Sequence, residues 1–165
     1  MNRYKKILLV IFAFLCLLYV SGCSLNKDTY RLKQTVIDYV NKNGGESITE
    51  IDLSELTLFE WDKAMVFKYP TSAQTIEQCL SVKYEKSLDL VSGIIFVSGD
   101  KIIYEERFKS NYKGVDALPP EFFIYHNADI NAKPNYRVFD TKDDIFICEK
   151  NTSDGYTYYV LKPKY

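Results

Sequence analysis

Gly93-Ile94-Ile95-Phe96-Val97-Ser98-Gly99-Asp100-Lys101-Ile102-Ile103-Tyr104-Glu105-Glu106-Arg107-Phe108 sets two apolar runs around a Ser-Gly-Asp-Lys reversal. β-Branched and aromatic side chains suit a pleated strand, and Gly-Asp between two such runs suits a tight turn. The segment therefore reads as a β-hairpin of residues 93–97 and 102–108. In a strand, successive side chains point to opposite faces, so adjacent Glu105 and Glu106 cannot serve one substrate together.

Upstream of the hairpin, residues 47–58 alternate, with Ile48, Ile51, Leu53, Leu56 and Leu58 apolar, and read as a strand with a slip of phase near Thr49-Glu50. Trp61-Asp62-Lys63 precedes a second strand over residues 64–69. Pro70 opens a turn, and Thr71 or Ser72 can cap a helix carrying Ile76, Cys79 and Leu80. Nearer the N-terminus, Asp28 can cap a helix over residues 28–43. Its Leu32, Val36, Tyr39 and Val40 recur at helical spacing, and Asn43-Gly44-Gly45 stops it. Downstream, residues 111–120 read as a loop closed by Pro119-Pro120, and 122–126 as a short strand. Three more strands follow at 136–141, 144–150 and 156–162, the last two joined by a loop at 151–155. This order predicts an α+β fold, a mainly antiparallel sheet with two helices packed on one face.

The N-terminus carries an address. Arg3, Lys5 and Lys6 form a basic start, and residues 7–20 are all apolar or aromatic. A bilayer-spanning helix needs about 20 such residues, and this run is shorter. Val20-Ser21-Gly22-Cys23 then resembles the bacterial lipobox: an aliphatic residue, two small residues and an obligatory cysteine. The expectation is a signal peptide over residues 1–22 and a thioether-linked diacylglycerol on Cys23. Residues 23–27 would form a lipidated tether, and 28–165 one domain. Two acyl chains, at about 0.8 kcal/mol per buried methylene, give a stable anchor. This expected palmitate-type lipoprotein is held at the cell membrane on its extracytoplasmic side.

Removing 22 of 165 residues leaves enough chain for one core. The signal takes three of 21 basic residues and none of the 22 acidic ones, leaving a net charge near −4. Nucleic-acid binding needs clustered positive charge, so no nucleic-acid partner is expected. Outside the cell, Cys79 and Cys148 could pair as a disulfide; two packed, unbonded thiols are the alternative.

No motif supports a reaction. A lone His126 and two separated cysteines cannot supply a structural zinc set, and no metal or other cofactor is expected. Asp140, Asp143 and Asp144 lack the alternating acids and glycine of a calcium loop, and read as a solvated turn. Glu60 and Asp62 flank Trp61 and could share a face, but a carboxylate pair without a cleft is not a hydrolase site. No catalytic residue is assigned.

Binding is the better prospect. The precursor holds 14 Tyr, 10 Phe and one Trp. Alternation places Tyr156 and Tyr158 on one face of the last strand, and Tyr159 with Leu161 on the other. One face should be core, and the other can serve a partner. Trp61 could plug the core while Asp62 and Lys63 pair or fix the turn; or all three could form a binding site.

Residues 56–72, from Leu56-Thr57-Leu58-Phe59-Glu60-Trp61-Asp62-Lys63 to Tyr69-Pro70-Thr71-Ser72, resemble a group of small Gram-positive lipoproteins of unknown function. The hairpin at 94–108 and the strand pair at 143–161 extend the likeness. The chain departs from it at Lys68, where a glycine is usual, and at Pro70. The resemblance implies no activity and no site residue.

The expected function is that of a non-enzymatic protein- or ligand-binding lipoprotein, with another envelope protein as candidate partner. An immunity or inhibitor lipoprotein facing a toxin or lytic enzyme is the alternative, and a cell-envelope hydrolase a weaker one. Cys23→Ala should abolish both acyl labelling and processing. Metabolic labelling with a palmitate analogue reads this out, and undiminished label in the variant would contradict the lipobox reading.

Overall fold

The hairpin forms as read. β3 (Val91–Ser98) pairs antiparallel with β4 (Lys101–Lys109), and Ser98 lies opposite Lys101. Gly99 takes φ +59°, a left-handed conformation that glycine adopts without steric cost. Phe96 pairs with Tyr104 but Val97 with Ile102, so a bulge at Ile103 resets the register. Gly93 has a separate reason to lack a side chain. A Cβ there would lie 2.6 Å from the Glu106 carbonyl oxygen and 3.0 Å from the Phe67 ring.

The computed structural model describes residues 31–43, 47–88, 91–109, 122–125, 133–153 and 155–164. Residues 1–30, which include the expected signal peptide, Cys23, the tether and Asp28, lie outside the described residues. So do residues 111–120 and His126. Arg31–Tyr165 forms one compact unit. Its further elements are α1 (Leu32–Lys42), β1 (Ile48–Asp52), α2 (Leu53–Leu56), β2 (Lys63–Phe67), α3 (Ala73–Leu80), β5 (Phe122–Ile124), β6 (Tyr136–Asp140), β7 (Ile145–Ser153) and β8 (Tyr156–Pro163).

The fold is α+β and mainly sheet, and its strands divide into two sheets of four. The first runs β1-β7-β8-β5 and the second β4-β3-β2-β6. Among the described residues all pairings are antiparallel except β5 with β8, which run parallel.

Strand alternation sorts the second sheet. Ala64, Val66, Ile94, Phe96 and Phe139 point one way, toward the first sheet. Met65, Phe67, Ile95 and Val97 point the other way and pack with Ile76 and Leu80 of α3. Glu105 and Glu106 part as their adjacency demands. The Tyr84 hydroxyl donates to Glu105 at 2.7 Å, whereas Glu106 turns to α1. The two helices therefore meet opposite faces of the second sheet rather than one shared face. The reason is that both faces of β2 are apolar: Ala64, Met65, Val66 and Phe67 are all buried. A strand apolar on both sides needs cover on both sides.

Two local readings change. The stretch 47–58 is not one strand: it breaks at Asp52, whose carboxylate accepts from the Ser54 and Glu55 amides and starts α2. The start of α1 carries no side-chain cap at Arg31. Instead the Leu32 amide donates to the Tyr104 hydroxyl at 2.9 Å, and the Lys33 amide to Glu106 at 3.1 Å. β4 thus supplies acceptors for helix amides that have no partner within the helix. Ser72 does cap α3, accepting from the Thr75 amide at 3.0 Å.

The sheets are joined by rings. Phe146 of β7 meets Phe139 of β6 at 5.2 Å between centroids, and Phe139 meets Trp61 at 5.9 Å. Phe146→Ala should destabilise the fold by about 3–5 kcal/mol, because it leaves a cavity between the sheets. Urea unfolding followed by circular dichroism reads this as a lower midpoint at unchanged slope. A loss under about 1 kcal/mol would place Phe146 outside the shared core.

Candidate functional site

Trp61 is 6% exposed. Its ring stands edge-on to Phe96 at 5.0 Å and to Phe139 at 5.9 Å, and its Nε1 donates to Thr57 Oγ1 at 3.1 Å. Ring contacts and the indole donor are both taken up inside the protein, so the tryptophan is the plug of the two readings. Asp62 is exposed, but its carboxylate accepts from the Gly99 amide at 2.6 Å. Its own amide donates to the Val97 carbonyl at 2.9 Å. It ties the β3–β4 turn to the start of β2. Lys63 is half-buried in β2, opposite Val97 and Asp140. Of the two readings, the contacts of the Trp-Asp-Lys segment match the structural one: Trp61 is buried and Asp62 ties the β3–β4 turn to β2.

A shallow groove of 470 Å³ runs beside it, lined by Ser54, Thr57, Leu58, Phe59, Glu60, Trp61 and Thr141. Among the described residues lining it, Glu60 is the one carboxylate. Asp62 does not line this groove; its carboxylate is turned to the Gly99 amide.

Tyr156 and Tyr158 sit where alternation places them. On β8, Tyr159 and Leu161 are buried in the inner face, and Tyr159 donates its hydroxyl to Asn41 of α1 at 2.9 Å. Tyr156 and Tyr158 face outward, opposite Ser153 and Asn151 of β7. The same face carries Ile48, Ile145 and Ile147, with ion pairs Glu50–Lys164 and Glu149–Lys162, each at 2.8 Å. Tyr156 is 47% exposed and Ile48 56%. Val160, beside β5, is buried, so the open areas lie toward β1 and toward the β7–β8 turn.

Cys79 and Cys148 are both free, which corrects the disulfide expectation. Cys79 is on α3, against the Met65–Phe67 side of the second sheet. Cys148 is fully buried on the inner face of β7, so a β-sheet lies between them. Burial, and then the Glu149 charge, push the Cys148 thiol up to about 12, so it stays protonated and unreactive at neutral pH.

The acids near residue 140 diverge. Asp140 accepts from the Lys142 amide at 2.8 Å and organises the turn. Asp144 turns inward and is 2% exposed. It meets Asp52 at the α2 corner: the Ser54 amide lies 2.9 Å from Asp52 Oδ1 and 3.0 Å from Asp144 Oδ2. Burial raises Asp144 above the usual carboxylate range, and the Asp52 charge adds to this. Burial pulls Asp52 the same way, but hydrogen bonds from the Ser54 hydroxyl and the Glu55 and Ser54 amides outweigh it and leave it lowered. The residue-by-residue reading passed over this pair. Asp52-Leu53-Ser54-Glu55 fits the helix-start pattern of a capping residue with an acid three places on, a signal for half of it. Nothing local marks Asp144.

Among the described residues, no three of His, Cys, Asp and Glu come together as metal ligands, and no helix is long and apolar enough to cross a membrane. No protein-family model, curated protein or solved structure matches the chain.

Trp61→Ala should cost about 3–5 kcal/mol of stability. Asp62→Ala should cost about 1 kcal/mol, the scale of one hydrogen bond in water. Thermal and urea unfolding of both variants checks the order. A Trp61→Ala protein as stable as the parent would return that residue to the surface.

Proposed function

We propose that the chain is a lipid-anchored, extracytoplasmic binding module without catalytic activity. It meets a protein of the cell envelope through the outer face of its first sheet. The carrying observation is that face itself: Tyr156, Tyr158, Ile147, Ile145 and Ile48 share it, and α1 and α3 both pack elsewhere. Small molecules favour enclosed, concave sites. A broad sheet surface with tyrosines and aliphatic side chains, edged by ion pairs, suits another protein. Tyrosine gives large contact area at low entropic cost and is enriched where interfaces concentrate their energy. The ion pairs at Glu50–Lys164 and Glu149–Lys162 would set register more than affinity. The lipobox at Cys23 supports a place at the membrane, and hence a partner there.

Crosslinking on living cells, followed by purification through the anchored protein, tests this. The comparison is a Tyr156→Ser, Tyr158→Ser double variant. Tyr156 is exposed, so its replacement should change stability by only about 0.5 kcal/mol; Tyr158 is half-buried, so the variant is first shown to be folded by circular dichroism. One envelope protein recovered with the parent, and reduced about tenfold or more with the variant (about 1.4 kcal/mol), is the expected outcome. Equal recovery with both would remove this face from the interaction. A captured toxin or lytic enzyme would turn the module into an inhibitor.

A further inference from the structure

We propose that Asp52 and Asp144 form a proton-operated latch: one proton held between the two carboxyl groups keeps the α2 corner closed, and its loss opens that corner. This goes beyond the binding reading and does not depend on it.

The geometry carries the inference. Two carboxylate oxygens converge on the single Ser54 N–H, at 2.9 and 3.0 Å. Two full negative charges so placed repel strongly, whereas a proton on one acid turns the repulsion into a hydrogen bond. The partners of each acid decide which one holds it. Asp52 also accepts from the Ser54 hydroxyl at 2.6 Å and from the Glu55 amide at 3.3 Å, and sits at the edge of the fold. Asp144 is 2% exposed, and although the Ser54 amide, the Ser54 side chain and its own amide all favour its charged form, burial and the neighbouring Asp52 charge outweigh them. Charge is better stabilised on Asp52 and the proton on Asp144, in line with the raised Asp144 and lowered Asp52.

The surrounding charges leave this balance in place. Glu55 lies on α2, and Asp140, Lys142 and Asp143 lie on the β6–β7 turn, where Asp140 is used by the Lys142 amide. Lys164, beyond β8, pairs with Glu50. The Asp144 carboxyl accepts from the Ser54 amide and interacts with its own amide and with Asp52.

The direction of the response follows. Asp144 has its affinity for a proton raised by folding, so its contribution to the closed corner is complete at low pH and is lost as pH rises through its folded value. Asp52 is shifted oppositely, and its caps on α2 are lost only as pH falls through a lowered value. The corner is closed between these limits. When Asp144 ionises, the weakest element against the pair is the four-residue α2, tied to it by Ser54. Thr57 ends α2 and accepts the Trp61 Nε1 hydrogen, so the opening reaches the indole.

Trp61 is the one tryptophan of the chain and therefore its own reporter. The full-length lipidated protein in mild detergent is titrated from acid to mildly alkaline pH, and tryptophan emission is followed. The expected result is a reversible change with a midpoint above the ordinary carboxylate range. It should be absent in Asp144→Asn, whose amide stands in for the protonated acid, and displaced to lower pH in Asp52→Asn. His126→Gln removes the one histidine and should leave the change intact. A flat parent profile, a change that persists in Asp144→Asn, or one lost in His126→Gln would each overturn the latch. If Asp144→Asn does not fold, Asp52→Asn decides alone, and an unmoved midpoint overturns it.

Discussion

The contact between Phe139 and Phe146 is what makes two sheets into one protein. Phe139 belongs to the second sheet and Phe146 to the first, and their rings meet edge-on at 5.2 Å. From Phe139 the contact runs to Trp61, then to Phe96, and from Phe96 to Phe59. Each such pair adds about 0.5–1.5 kcal/mol beyond the area it buries. The seam also decides what the surface can be. It draws the single tryptophan inward, and with it the residue that a binding reading would most want outside. Among the described residues, the aromatics left most exposed are Tyr69, just past the end of β2, and Tyr156, on the far side of the first sheet.

Polar side chains then hold the ends of elements that this core only approximately positions. Asp62 fixes the β3–β4 turn through the Gly99 amide. Tyr104 and Glu106 receive the first amides of α1. Asp52 and Asp144 do the same for α2. Each is a carboxylate or hydroxyl serving backbone donors far along the chain or at a corner. The acids that a search for catalysis would collect are largely occupied in this way.

Much of the fold was legible because strand and turn signals are local. The 93–108 hairpin, the Ser72 cap, the opposed Glu105 and Glu106 and the split between Tyr156/Tyr158 and Tyr159/Leu161 all follow from periodicity and turn chemistry. The division into two sheets was not legible, because it depends on which strands pair across long separations. β1 with β7 and β2 with β6 bring together residues that no local pattern links. For the same reason Glu106 as the acceptor for α1, and Asp144 as the partner of Asp52, left no mark in the residues around them. The candidate site was legible in part. The outward tyrosines were found by alternation, whereas the role of Trp61 turned on burial, which an isolated aromatic does not reveal.

The account rests most heavily on where Trp61 lies, since a buried indole is what leaves the sheet face as the proposed binding surface. Acrylamide quenching of its emission tests this directly in the folded protein, with the urea-unfolded chain as reference. A buried indole should be quenched several-fold less efficiently in the folded state than in the unfolded one. Equal quenching in the two states would put Trp61 at the surface, separate it from the Phe96–Phe139 seam, and restore the Trp-Asp-Lys segment as the place where a partner binds.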